Sequence, residues 1–182
     1  MIRARVIFLG FLLLWAGSLL AQIKSGLPTG TFTESIPVTD VTGPYKGERI
    51  CYVCEFEEAP NVLAFFRDAS PETAKLIIEL NRLYVKNKAR NFQTVAMIIA
   101  GSDSKKWLEK LSKSEKLEIP LTFFTKGPKD VAARVYKLNP EVKNTFLVTI
   151  NRTIAGNISD IGPAEFGQVI QATEQMLAGK TK

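Results

Sequence analysis

From residue 61 onward the chain alternates between two patterns of apolar and polar positions. Short, nearly unbroken apolar runs, "NVLAFFR" (61–67), "FQTVAMIIAG" (92–101) and "IPLTFF" (119–124), have the length of strands buried on both faces. Between the first two, Leu76, Ile77, Leu80, Leu83 and Tyr84 recur at helical spacing. Ser70 is placed to cap that helix, Pro71 to occupy its first position and Glu72 to favour its positive end. "SDSKKWLEKLSKSEK" (102–116) predicts a second helix, with Trp107, Leu108 and Leu111 on one face, and "KDVAARVYKL" (129–138) a short third. "NTFLVTINRTIAGNIS" reads as two strands joined at Asn151 and Arg152. A last helix opens at Pro163 and carries Phe166, Val169, Ile170, Met176 and Leu177 on one stripe. The order is βαβαβαββα: an α/β domain with a central mixed sheet, parallel in its first part, antiparallel at its final hairpin and covered by helices on both faces.

The region before residue 61 follows neither pattern. Residues 1–21 have a basic start (Arg3, Arg5), an apolar run from Val6 to Ala16 and small residues near the end, the layout of a signal peptide. Cleavage is expected after Ala21, with Ser18 as the alternative; an uncleaved anchor helix is disfavoured because the run falls short of the ~20 residues a span needs. The protein is therefore expected to be exported, periplasmic or extracellular, with no stable membrane span after cleavage. Residues 22–48, rich in Gly, Pro, Ser and Thr, read as a linker and extended N-terminal arm, leaving 49–180 as the domain.

Charge and composition narrow the chemistry. Loss of Arg3 and Arg5 takes the formal charge from +6 to +4, and the two densest basic groups, 86–90 and 105–116, read as solvated helix faces, so a nucleic-acid partner is not expected. The chain of 182 residues has no histidine, which excludes Cys-His and Ser-His hydrolases and His-ligated metal sites. No phosphate loop or repeat is visible, and no cofactor is expected.

The element order, and above all "IPLTFFTKGPKDVAARVYKLNPEVKNTFLVTINRTIAGNI", resembles the thioredoxin fold in the longer version of peroxiredoxins and exported thiol reductases. The resemblance covers about residues 61–179. "YKGERICYVCEFEEAPNVLAFFRD" is similar to secreted thioredoxin-like proteins whose C-x-x-C stands ahead of the first core strand. The resemblance implies a catalytic C-x-x-C between the first strand and its helix. That place holds Asp68, Ala69, Ser70 and Pro71, and where the family has a cis-proline this chain reads Val142, Lys143, Asn144.

The two cysteines, Cys51 and Cys54, instead form a C-x-x-C seven residues before the strand. Export makes a disulfide the default. Glu55, Glu57 and Glu58 follow closely and should raise the thiol pKa values unless Lys46 or Arg49 folds back, and Pro60 is expected to end any helix before it starts. The sequence thus favours a structural Cys51–Cys54 disulfide in a module that binds an unidentified protein or peptide. The alternative is a thiol-disulfide oxidoreductase in which Cys51 and Cys54 are catalytic. A soft metal held by the two thiolates with Glu55 or Glu57 is a lesser reading, since two cysteines are half of the usual set; no metal is expected.

Overall fold

A computed structural model describes residues 24–179; the predicted signal peptide lies outside the described residues. One sheet of seven strands runs β2 (Arg49–Ile50), β1 (Val38–Asp40), β5 (Leu121–Phe123), β4 (Gln93–Ile98), β3 (Asn61–Phe66), β6 (Asn144–Ile150), β7 (Thr153–Ser159) from edge to edge. β3, β4 and β5 are mutually parallel, β6 and β7 form the antiparallel hairpin, and β1 joins antiparallel to β5.

Handedness decides which face each helix covers. The chain steps sideways from β3 through α2 (Pro71–Asn87) to β4, then through α3 (Lys105–Glu115) to β5. Right-handed crossovers in one direction put both helices on one face. α5 (Gly167–Gly179) joins them there, so Leu76, Leu80, Leu108 and Val169 pack on Val62, Ala64, Phe66 and Ile98. From β5 the chain returns across the sheet to β6 through α4 (Val131–Val135), which covers the opposite face. Period-two alternation divides each central strand between the two cores: Leu63, Phe65, Val95 and Met97 face α4.

The elements predicted from residue 61 onward are present, with ends moved by a few residues. Ser70 caps α2, its Oγ accepting the Thr73 N–H at 3.2 Å. Asn151 and Arg152 both adopt positive φ, 50° and 58°, the backbone of a two-residue hairpin turn. On α5 the buried stripe is Val169, Thr173, Met176 and Leu177, and Ile170 lies at its margin, 37% exposed.

The N-terminal segment departs from its linker reading. Leu27, Ile36 and Val38 are buried in the core beside α4 and Val41 in the core of the opposite face, so residues 24–48 contribute to both cores and supply β1 to the sheet. Asp40 shapes the hairpin loop that leads to β2. Its Oδ1 accepts the N–H groups of Thr42 and Gly43, at 3.1 and 2.8 Å, and its Oδ2 accepts the Tyr45 N–H at 2.9 Å and the Tyr52 hydroxyl at 2.8 Å.

Candidate functional site

Ile50 ends β2, and Cys51 follows directly as the N-cap of α1 (Tyr52–Phe56). The expectation that Pro60 would forbid a helix here is corrected: one turn forms first, and it stops at Glu57, φ 49°, three residues before the proline. Since β2 is antiparallel to β1, and β1 to β5, β2 runs the same way as β3, β4 and β5. The chain thus has a strand, a C-x-x-C and a helix start in succession, on the outer strand of the sheet instead of the central one.

Cys51 and Cys54 are joined as a disulfide. The Cys54 N–H is shared between the Cys51 carbonyl oxygen at 2.9 Å and Cys51 Sγ at 3.2 Å, so the cap position gives that sulfur the longer branch of a bifurcated amide bond. Cys54 is exposed, while Cys51 is half-buried against the α4-side core. Ser35 Oγ lies 3.3 Å from Cys54 Sγ and, a disulfide sulfur having no proton, the hydroxyl is the donor. Ser35 in turn accepts from the Arg152 guanidinium at 3.2 Å. A charged donor is therefore connected to the exposed sulfur through one hydroxyl.

Both links of that chain are held from the side. Arg152 also donates to the Thr33 carbonyl at 3.3 Å and lies over the Phe32 ring, 4.9 Å from its centroid. The buried Tyr136 hydroxyl donates to the Glu34 carbonyl at 2.6 Å, fixing the residue before Ser35. Burial pushes the Tyr136 phenol pKa up, with the Arg152 charge opposing. Beneath the C-x-x-C, Tyr52, Val53 and Phe56 are buried. The Tyr52 phenol is pushed up by burial first and by its bond to Asp40 second.

The acidic neighbours behave differently from expectation. Glu55 accepts the Tyr45 hydroxyl, which raises the Tyr45 pKa, chiefly through that hydrogen bond. Lys46 points to Glu109, 3.9 Å away, and Arg49 is in no ion pair with the three glutamates among the described residues. The compensating positive charge is that of Arg152, whose only sequence signal was its place in the predicted turn. No group of three or more Cys, Asp or Glu side chains suited to a metal occurs among the described residues.

The corner between β3 and α2 has no thiol. Asp68 pairs with Arg67 at 3.3 Å, Glu72 with Lys143 at 3.5 Å, and the Ser70 hydroxyl is engaged with Thr73. No peptide bond among the described residues is cis, the Val142–Asn144 stretch included.

No family model and no curated protein matches the sequence. Solved structures do match the fold. A proposed protein disulfide isomerase of Bacteroides thetaiotaomicron superposes with TM-score 0.66 at 15% identity, over 86% of this chain and 95% of its own. The peroxidoxin BcpB of Mycobacterium tuberculosis gives 0.63 at 20% identity, over 82% and 97%. A proposed thiol:disulfide interchange protein DsbE of Chlorobium tepidum gives 0.63 at 16%, over 83% and 99%. The chain has the thioredoxin-like fold, and its structural neighbours are thiol-disulfide and peroxiredoxin proteins.

Proposed function

We propose that this protein is an exported thiol-disulfide oxidoreductase whose working pair is Cys51 and Cys54, carried on the outer strand of a thioredoxin-like domain. The observation that carries the reading is the asymmetry of the two sulfurs. Cys54 is exposed and receives the Ser35 hydroxyl backed by Arg152, and Cys51 is recessed and receives an amide N–H. Donors aimed at sulfur stabilise thiolates, the species that attack and leave in exchange.

Exposure assigns the roles. A thiolate of a partner dithiol attacks Cys54 Sγ, the Cys51–Cys54 bond breaks, and Cys51 leaves as a thiolate held by the Cys54 N–H. The partner's second thiol loses its proton and attacks its own sulfur in the mixed disulfide, releasing Cys54 as a thiolate. The partner becomes a disulfide, its two electrons reside on Cys51 and Cys54, and the two protons its thiols gave up to water are taken back from water as these thiolates protonate. The reverse sequence reduces a partner disulfide, with Cys54 attacking and Cys51 resolving. The reduction potential sets the direction.

The competing reading, a structural clasp in a binding module, draws on the burial of Tyr52, Val53 and Phe56 around the disulfide. Thiol trapping across glutathione and dithiothreitol buffers separates the two. A potential between about −270 and −120 mV is the expected result, and one below about −300 mV overturns the oxidoreductase. Export is checked by N-terminal sequencing of the protein recovered outside the cytoplasm: it should begin at Gln22 or, for the alternative cut, at Leu19.

A further inference from the structure

We propose that the cleft between β2 and α4 binds an acidic peptide segment of a partner protein, one in which an apolar side chain lies among carboxylates. Arg49, Lys126, Lys129 and Arg134 surround a hollow of about 290 Å³. None of the four has an ion-pair partner among the described residues. The single carboxylate lining the hollow, Asp130, is 6% exposed and already accepts the N–H groups of Ala132 and Lys126, each at 3.1 Å. Four cations thus gather around one buried carboxylate, leaving the hollow with an excess of positive charge, and gathering like charges this way is unfavourable until a further anion arrives.

The shape of the ligand follows from what adjoins the hollow. A second groove of about 400 Å³ shares Pro128, Ala133 and Arg134 with it and is lined besides by Ile99, Leu138, Val142 and Arg67, the last already paired with Asp68. A basic hollow is therefore continued by a mainly apolar groove. An extended chain of alternating acidic and apolar side chains matches that succession, whereas a compact anion fills the first hollow alone. A single-stranded nucleic acid would draw on stacking platforms, and the one large exposed aromatic among the described residues, Phe32, already has Arg152 over its ring and does not line the cleft. Arg67, Ile99 and Lys126 stand just past the carboxyl ends of β3, β4 and β5, the end of the strands at which open α/β sheets bind ligands. The binding stands on the cleft alone and holds whether or not the disulfide exchanges.

Fluorescence anisotropy of a labelled Glu-Glu-Leu-Glu-Glu-Leu peptide, titrated with the folded mature protein, tests the assignment. Binding is expected, weakening at least about tenfold in the Lys129→Glu/Arg134→Glu variant and on replacing the peptide's Glu by Gln, and falling with added salt. Lys105→Glu/Lys106→Glu, on α3, should leave binding within about twofold; equal loss there would mean that net charge alone attracts the peptide and would overturn the cleft. Lys126→Gln/Lys129→Gln, which removes charge without reversing it, is expected to weaken binding in the same direction. No binding at about 1 mM protein, equal binding of the Gln peptide, or displacement of the peptide by inorganic phosphate or a single-stranded oligonucleotide at lower concentration than by unlabelled peptide would each overturn the proposal.

Discussion

Replacing Arg152 by Met should raise the thiol pKa of Cys54 in the reduced protein. The guanidinium and the sulfur are linked by legs of 3.2 and 3.3 Å through Ser35, so charge and sulfur are at most about 6.5 Å apart. Two unit charges at about 6.5 Å interact by roughly 0.6 kcal/mol in a water-like medium and roughly 2.6 kcal/mol at an effective dielectric of ~20. Cys54 is exposed, which places the effect in the lower half of that range. A rise of about half to one unit is therefore expected. The sign is fixed: the charge favours the thiolate, so removing it favours the protonated form. The assay is the pH dependence of thiolate absorbance at 240 nm, or of iodoacetamide reactivity, in a Cys51→Ser background where a single thiol titrates. Arg152→Lys keeps a charge and should retain most of the shift, which separates the electrostatic effect from lost packing on Phe32. An Arg152→Met pKa unchanged within about 0.2 units, or lowered, would refute the donor chain.

Further expectations concern what holds the C-x-x-C in place. A Cβ at Gly43 would lie 2.2 Å from the Tyr52 hydroxyl oxygen and 2.6 Å from Asp40 Oδ2, so Gly43→Ala should destabilise by about 1–3 kcal/mol, read from urea denaturation; an unchanged midpoint would show that the loop yields freely. Tyr52→Phe removes one donor from a buried carboxylate and should cost about 1–3 kcal/mol in the same assay, while Tyr45→Phe, at the surface, should stay within about 0.5 kcal/mol. Glu174 is paired with Lys86 at 2.9 Å and Arg90 at 3.1 Å, which hold its carboxyl below the usual range, the Lys86 bond leading. Its contribution is present above the unfolded carboxylate pKa and disappears as pH falls through the lower folded one. Glu174→Gln should therefore lower the unfolding free energy slightly at pH 7, by well under about 1 kcal/mol for so exposed a group, and not at about pH 2, read from urea denaturation; an equal loss at both values would locate the effect in packing.

Much of the fold was legible because its central elements are long enough to show a period. The βαβ unit built from residues 61 to 98 combines a six-residue apolar strand, a capped helix with five apolar positions in register and a second apolar strand, all predicted from pattern. β1 and β2 were not, since three and two residues are too few for any alternation to register. The apolar residues that anchor the N-terminal segment, Leu27, Ile36 and Val41, are isolated among polar neighbours. The alternating Ile36, Val38 pair before an Asp-x-x-Gly-Pro turn at 40–44 was the available signal of a strand running into a loop. The cysteine pair was visible from spacing, but its surroundings were not. Ser35 lies 19 residues before Cys54 and Arg152 comes from the far hairpin, so only the tertiary fold brings them to the sulfur. Local charge counting around 51–58 therefore saw the three glutamates and missed the arginine that opposes them.

The hydrogen-bonded series Arg152, Ser35, Cys54 joins the turn between β6 and β7, the N-terminal segment and α1, three stretches with no local reason to meet. While the chain is being synthesised, and in any unfolded copy, Cys54 has only water and the neighbouring glutamates for company and behaves as an ordinary thiol. Its distinctive surroundings come into being only once the last strands have docked against the first residues of the domain. On the proposed exchange, maturation of the chain is a precondition for the chemistry: an incompletely folded molecule would be a poor partner, and in the reduced protein the onset of selective alkylation at Cys54 would serve as a clock for completion of the fold.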